Sequence, residues 1–379
     1  MEPYKKIYGK PSWVLSTDTM ELAVTQRGGH MAPVTFYKQT SNPVQPYYIS
    51  PWQEEDFSPE EPVLVPLRGD FFCMPFGESN LMGDEDHPVH GEPAGSTWEF
   101  LDHNVSPEGV ELVLGMKTLV RPGNITKRIR LKNGENTVYI RHDLEGFDWL
   151  TSMGHHATLK AVDDREMLIS TSPIKFGMVA PSNSEYQKGR EYHSLKGGAR
   201  FTDLRKVPTQ WHDEPVTDCT KFPSREGFTD ILAVFSREDQ DPAWTCVSVP
   251  RGGYLWFSLK DPLVLPSTVF WMSNKGRHTE PWNGRNQCIG LEDTCGFFAS
   301  GLAESARENL LNSQGITTAV QLEADKVTSV RYIEGVVQIG PGFGRVQDVK
   351  FGAESAEFRS ETGERVTAPV DFSFLEGGI

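Results

Sequence analysis

The sequence lacks any apolar run of the roughly 20 residues that a membrane helix requires. Residues 1–10 carry lysines with no apolar stretch behind them, so no secretory signal is expected there. The five cysteines form no Cys-x-x-Cys pair, which favours reduced thiols over a disulfide framework or a zinc knuckle. We therefore expect a cytoplasmic protein without membrane association.

Basic runs are also absent. The chain has 37 Lys and Arg residues against 52 Asp and Glu residues, a net charge of −15 at pH 7. An acidic surface repels phosphate backbones, so nucleic acid is not expected as a partner. The sequence also has no Gly-x-x-x-x-Gly-Lys phosphate loop and no Gly-x-Ser-x-Gly elbow. The acidic charge says little about the substrate beyond disfavouring polyanions.

Short segments with β-type patterns fill most of the chain. Residues 20–26 and 32–37 flank Gly28-Gly29, which indicates a hairpin with a glycine turn. Residues 126–132 and 137–141 alternate around Asn133-Gly134, a strong signal for a hairpin with a type I′ turn. Further strands are predicted at 111–114, 231–236, 245–249, 254–259 and 267–272.

Helical periodicity is rare, and 302–312 is the one segment for which it predicts a helix. Many short strands with frequent turn signals predict an all-β protein, a large antiparallel stack of two sheets. We assign residues 1–325 to this domain. Residues 326–379 alternate again and are predicted to form a C-terminal β extension, packed on the same domain as edge strands or as a small module.

Histidines and carboxylates concentrate in three places between the predicted strands. The first place contains Arg68, Asp70 and the His90-Gly91 pair, and Trp98 follows it. The second is His155-His156, and the third is Leu291-Glu292. These side chains are the types that can donate, accept and transfer protons near neutral pH.

The order of these segments resembles the aldose 1-epimerase (galactose mutarotase-like) superfamily. Its members share an early Gly-Gly hairpin, a His-Gly loop before a Trp-bearing strand, a mid-chain His, and a late Leu-Glu or Val-Glu after a further Trp-containing strand. Here these elements are Gly28-Gly29, His90-Gly91, His155-His156 and Leu291-Glu292. No single motif is specific, so the order of the four carries the resemblance, over roughly residues 10–320.

Two features mark a divergent branch. Many family members carry an Asn-Arg pair before the His-Gly loop, whereas this chain has Arg68 and Asp70 further upstream and Glu92 after it. The family's mid-chain pattern is His-x-aromatic-Phe. His156 fits that spacing better than His155, with smaller residues at the aromatic positions.

The resemblance implies a β-supersandwich that interconverts sugar anomers by acid–base ring opening, with no cofactor and no metal. It implies Glu292 as the base and His156 as the acid, with His155 packing beside it or orienting it. Substrate binding would fall to hydrogen-bonding and stacking side chains: Arg68, Asp70, His90, Trp98 and Trp282.

Other interpretations stay open. His87 and His90 have metal-pair spacing, but Pro88 intervenes and no third ligand is evident nearby. A non-catalytic carbohydrate-binding or sensing protein would use the same scaffold. A polysaccharide lyase or glycosidase-associated domain shares the two-sheet architecture, but lyases acting on polyanions need a basic groove. The sequence leaves open which sugar is bound, whether it is phosphorylated, and the oligomeric state.

Overall fold

A computed structural model describes residues 4–78, 81–161, 165–184 and 190–376. Two large sheets dominate it, and neighbouring strands within each pair antiparallel. The larger sheet has nine strands, in spatial order β19 (Lys221–Phe222), β14 (Met167–Thr171), β21 (Ala243–Val249), β22 (Tyr254–Lys260), β26 (Thr328–Gln338), β11 (Thr137–Glu145), β10 (Gly123–Lys132), β9 (Gly109–Thr118) and β8 (Glu99–Ser106).

The second sheet has seven strands and carries the candidate site. In spatial order they are β16 (Arg200–Phe201), β15 (Ile174–Val179), β20 (Phe228–Ser236), β23 (Ser267–Asn274), β24 (Gln287–Cys295), β13 (Met153–Lys160) and β5 (Phe72–Cys73).

Smaller sheets complete the architecture. One has four strands: β1 (Lys5–Ile7), β2 (Lys10–Ser16), β3 (Glu21–Thr25) and β4 (Met31–Thr35). Another has three: β27 (Val346–Phe351), β28 (Ser355–Ser360) and β29 (Arg365–Pro369). Two-stranded pairs are formed by β6 (Leu81–Met82) with β7 (Glu85–Asp86), β12 (Leu150–Thr151) with β25 (Val320–Gln321), and β17 (Val207–Pro208) with β18 (Val216–Thr217).

Helices are short. The α-helices are α1 (Gly91–Gly95) and α2 (Gly301–Ala306), and the 3-10 turns are Pro51–Glu54, Pro62–Leu64, Pro181–Ser184, Leu204–Lys206, Pro250–Gly252, Asn312–Gln314 and Phe372–Leu375. No helix among the described residues has the length and apolar character needed to cross a membrane.

The main core lies between the two large sheets. Ile129 and Ile140 of the nine-stranded sheet share it with Phe270 and Leu291 of the seven-stranded sheet. A polar contact also crosses this layer, where the Tyr332 hydroxyl donates to Asp293 Oδ2 at 2.8 Å. The all-β, two-sheet architecture predicted from the alternating patterns is confirmed.

The C-terminal range differs from its predicted placement. Its first strand, β26, lies between β22 and β11 inside the nine-stranded sheet, so the expected edge position is wrong for this strand. Both of its faces are buried, Tyr332 in the main core and Ile333 against the three-stranded sheet. That small sheet covers the outer face of the nine-stranded sheet. The division at residues 325 and 326 as a domain boundary stays a prediction.

Two local predictions also need correction. The predicted helix at 302–312 ends at Ala306, because the side chain of Asn309 accepts hydrogen bonds from the backbone N–H groups of Leu311 and Asn312 and competes with helical bonding. The hairpin at Asn133-Gly134 is confirmed, but only Gly134 has a positive φ, +80°, so the turn is not type I′.

Candidate active site

The candidate site lies on the outer face of the seven-stranded sheet, away from the main core. Along a strand, successive side chains point to opposite faces. In β13, His155 therefore points into the main core and His156 points outward. In β24, Leu291 points inward and Glu292 outward. One strand step thus separates the two adjacent histidines into different environments.

Glu292 and His156 are direct cross-strand partners in the pairing of β24 with β13. Their side chains meet, with His156 Nε2 3.2 Å from Glu292 Oε1. The Nδ1 atom of the same ring lies 3.1 Å from the Thr158 hydroxyl oxygen. Both side chains are almost completely buried. The imidazole is therefore held at both nitrogen atoms, one of them against a carboxyl group.

A cavity opens above this pair and encloses about 650 Å³, including its mouth. Besides Glu292 and His156, its polar lining side chains are Glu78, His90 and Arg277. The other lining residues are apolar. They include two tryptophans set edge to face with ring centroids 5.5 Å apart, Trp271 and Trp282.

Burial sets the electrostatics of the pair. Loss of water raises the pKa of Glu292 well above 4.5, because the protein interior disfavours the carboxylate. Burial together with the nearby His90 ring lowers the pKa of His156 well below 6.5. These opposite shifts leave one dissociable proton shared between carboxyl and imidazole over a wide pH range.

His90 lies beside the pair, and the backbone that follows it requires the glycine at position 91. The His90 ring lies edge to face against His156, with centroids 4.9 Å apart. Gly91 has φ +76°, and a Cβ there would lie 2.0 Å from the Met74 carbonyl oxygen, so only glycine fits. Burial and the charge of Arg277 lower the pKa of His90 to about 4. His90 is thus a neutral hydrogen-bonding group at neutral pH.

Gly290 makes room for the carboxyl group of Glu292. Both residues point outward from β24, and a Cβ on Gly290 would lie 2.5 Å from Glu292 Oε1 and 3.2 Å from the Cβ of Trp271. A side chain at position 290 would therefore push the carboxyl group away from His156.

Phe71 supports His156 from the loop before β5. Its ring stacks on His156 with centroids 4.5 Å apart, and its other neighbour in the stack is His30, at 4.0 Å. His30 in turn lies 2.9 Å, through Nε2, from the Ala94 carbonyl oxygen in α1. This stack links the orientation of the His156 ring to the hairpin that contains Gly28-Gly29.

The structure brings four of the predicted site residues to the cavity: Glu292, His156, His90 and Trp282. His155 is not among them. It is fully buried in the main core, where its Nδ1 atom lies 2.9 Å from Asp70 Oδ2 and its ring stacks on Tyr332. Asp70 is equally buried, so this pair sits behind the sheet that carries the cavity.

Arg68 and Trp98 are also buried away from the cavity lining. The Arg68 guanidinium donates to the backbone oxygens of Ile7, Tyr8 and Pro66 and to Gln53 Oε1. It thus ties the N-terminal strand to the loop before β5. Trp98 Nε1 donates to the Pro93 carbonyl oxygen at 3.0 Å, and its ring packs in the main core.

The cavity residues that were not singled out as site residues in the sequence include Phe71, Arg277 and Trp271. Trp271 had a usable signal, because it alternates with the inward Phe270 along an otherwise apolar strand. Arg277 lies in an irregular segment after β23, where the sequence has no periodic pattern that predicts which way a side chain points.

The possible metal pair is split. His87 Nε2 lies 3.1 Å from Glu85 Oε2, which also accepts from Arg121, whereas His90 faces the cavity. Within the described ranges, no group of three or more His, Cys, Asp or Glu side chains is arranged to hold a metal ion.

No protein-family model and no curated protein sequence matches the chain. Solved structures do. A galactose mutarotase-like protein from Clostridium acetobutylicum matches with a TM-score of 0.60 at 10% identity, over 89% of this chain and 98% of that one. A candidate mutarotase from Salmonella typhimurium matches with a TM-score of 0.58 at 12% identity, over 88% and 93%.

A candidate aldose 1-epimerase from Escherichia coli K12 matches with a TM-score of 0.56 at 12% identity, over 86% of this chain and 99% of that one. The protein is therefore an all-β protein of the mutarotase-like architecture. More specifically, it has the galactose mutarotase-like fold in a divergent form. The resemblance inferred from the order of sequence motifs is confirmed at the level of the fold.

Proposed function

We propose that the protein is an aldose 1-epimerase-like isomerase that interconverts the α and β anomers of a free sugar. The observation that carries this proposal is the contact between Glu292 and His156, 3.2 Å apart at the floor of a cavity on the mutarotase-like fold. Anomer exchange needs a base at the anomeric hydroxyl and an acid at the ring oxygen, and no covalent intermediate.

The shared proton gives the pair both functions. In one form the proton is on the Glu292 carboxyl group. In the other it is on His156, which leaves a carboxylate beside an imidazolium. The second form can accept the anomeric proton on Glu292 while His156 donates to the ring oxygen, which opens the ring to the aldehyde. Rotation about C1–C2 and the reverse transfers close the opposite anomer, so protons balance over the cycle.

Apolar and neutral groups would position the sugar. Trp271 and Trp282 offer aromatic faces and edges to the C–H surface of a pyranose, and neutral His90 offers a hydrogen-bonding ring nitrogen. We also propose a cytoplasmic location, because all five cysteines are unpaired and buried, as expected of a reducing compartment.

A non-catalytic sugar-binding protein is the second candidate. The same contact also favours this candidate, because the carboxyl group and the imidazole already form a hydrogen bond with each other and can stay so while a sugar is bound. Two-dimensional exchange NMR on equilibrated aldoses separates the candidates, since it measures anomer exchange directly, and saturation-transfer NMR on the same samples measures binding. The isomerase predicts exchange above the spontaneous rate for at least one aldose. Binding without added exchange for every sugar would favour the second candidate.

A further inference from the structure

We propose that the preferred substrate is a 6-deoxyaldose, a sugar with a methyl group in place of the hydroxymethyl group on C5. The inference rests on the proposed function and concerns the chemistry of the cavity walls. Ten of the fifteen lining residues are apolar. Seven of these are aliphatic, a type of side chain that offers nothing to a hydroxyl group: Ala299 and the larger Val63, Leu64, Leu67, Val89, Ile231 and Val269.

Besides Glu292 and His156, the lining has only three polar side chains for the hydroxyl groups of a fully hydroxylated hexose: Glu78, His90 and Arg277. The anomeric hydroxyl and the ring oxygen are taken by Glu292 and His156, which leaves four further hydroxyl groups. Arg277 already pairs with Glu191 and lies over the ring of Trp282, 5.1 Å from its centroid. The Nδ1 atom of His90 already accepts a hydrogen bond from the Gly77 backbone N–H, with 3.4 Å between the two nitrogen atoms.

The assigned roles place the C5 substituent near an apolar surface. C5 is bonded to the ring oxygen, so its substituent lies next to the group that protonates that oxygen, His156. The ring of Phe71 stacks on this histidine at 4.5 Å, and the Trp271 ring stands at 5.9 Å. A methyl group gains from contact with these rings. A hydroxyl group placed against these rings would lose water and gain no hydrogen bond from them, which is costly.

The test compares matched sugars that differ only at C6. Exchange NMR gives kcat/KM for D-glucose, D-galactose, their 6-deoxy forms and their 6-phosphates, with the spontaneous rate subtracted. We expect each 6-deoxy sugar to exceed its parent by about 5-fold or more, the effect of one buried unpaired hydroxyl. Parents as fast as their 6-deoxy forms, or faster 6-phosphates, would overturn the inference.

Binding measurements keep this result separate from the proposed function. Saturation-transfer NMR on the same pairs reports their relative affinities even without turnover. If no sugar is turned over but the 6-deoxy forms bind more tightly, the isomerase proposal fails and the preference stands. If sugars are turned over without the preference, only the inference fails.

A wall variant tests the cause. Val89→Thr combined with Ile231→Thr puts hydroxyl groups on the apolar wall, the first at little change in volume and the second with the loss of the Ile231 δ methyl group. We expect it to lower the ratio of 6-deoxy to parent kcat/KM by about 3-fold or more. The control is Val105→Thr. Val105 is 75% exposed on the edge strand β8, so this variant should leave the ratio unchanged. An unchanged ratio in the wall variant would mean that the wall does not contact C6.

Discussion

The Nε2 atom of His156 lies 3.2 Å from the Oε1 atom of Glu292, a contact between neighbouring strands that faces the cavity rather than the core. Because burial raises the pKa of the carboxyl group and lowers that of the imidazole, neither group is charged as readily as in water, and the pair keeps one dissociable proton between them. The predictions below follow from this pair and from the residues that hold it in place.

The pH dependence should be broad. Glu292 and His156 with ordinary pKa values of 4.5 and 6.5 would be active only between those values. Lowering the pKa of His156 moves the acid limb, where a second proton binds, below 6.5. Raising the pKa of Glu292 moves the alkaline limb, where the last proton leaves, above 4.5. We therefore expect the acid limb of kcat/KM well below pH 6.5 and its alkaline limb well above pH 4.5, with a plateau between them. An acid limb at pH 6.5 or an alkaline limb at pH 4.5 would contradict the shared proton.

The two adjacent histidines should differ in what their loss affects. His156→Asn removes the proposed acid and should lower kcat by about 10²–10⁴-fold. His155→Asn breaks the buried contact with Asp70 and should lower the free energy of unfolding by about 1–3 kcal/mol. Steady-state exchange rates and urea unfolding of both variants check this. The reverse pattern would exchange their assigned roles.

Gly290→Ala should impair activity although it replaces no proton-transfer group. The new Cβ would lie 2.5 Å from Glu292 Oε1, so the carboxyl group has to move. A displacement on this scale costs about 10- to 100-fold in kcat. The control is Gly340→Ala, because the φ of Gly340 is not positive and a Cβ there contacts only the Glu364 side chain, at 3.7 Å. Gly315 is less suitable because its φ of +73° would strain an alanine. Full activity in Gly290→Ala would show that the position of the carboxyl group is not critical.

Arg68 should act on stability rather than on sugar binding. Its buried guanidinium serves four oxygen acceptors around the N-terminal strand. Arg68→Met leaves them without that donor and should lower the free energy of unfolding by about 2–4 kcal/mol. Urea unfolding measures this, and sugar titration of the folded variant should show an unchanged Kd. A large loss of sugar affinity in a variant of normal stability would mean that Arg68 takes part in sugar binding.

The fold was largely predictable because its signals are local. Glycine turns such as Gly28-Gly29 and the alternation over residues 126–132 depend only on neighbouring residues. The placement of β26 was not predictable in this way. The strand is buried on both faces, and alternation cannot show whether a strand is central or at an edge.

The site was predictable only in part, for a related reason. Glu292 and His156 were identified by motif order, and the structure places them side by side. Arg68 and Trp98 have equally suggestive neighbours in sequence, yet both are buried outside the cavity lining. Residue type shows what a side chain can do, whereas its direction and depth depend on distant strands. Arg277 shows the converse case: it lines the cavity, but it lies in an irregular segment whose sequence does not predict the direction of its side chain.

The central claim is that Glu292 transfers the anomeric proton, and Glu292→Gln tests it most directly. The amide keeps the size and hydrogen-bonding shape of the carboxyl group but cannot act as the base. Anomer exchange is measured by NMR on wild type, Glu292→Gln and the exposed control Glu308→Gln, with sugar binding measured in parallel. We predict a loss of about 10²–10⁴-fold in kcat for Glu292→Gln alone, with binding retained. A Glu292→Gln variant as fast as wild type would contradict the account.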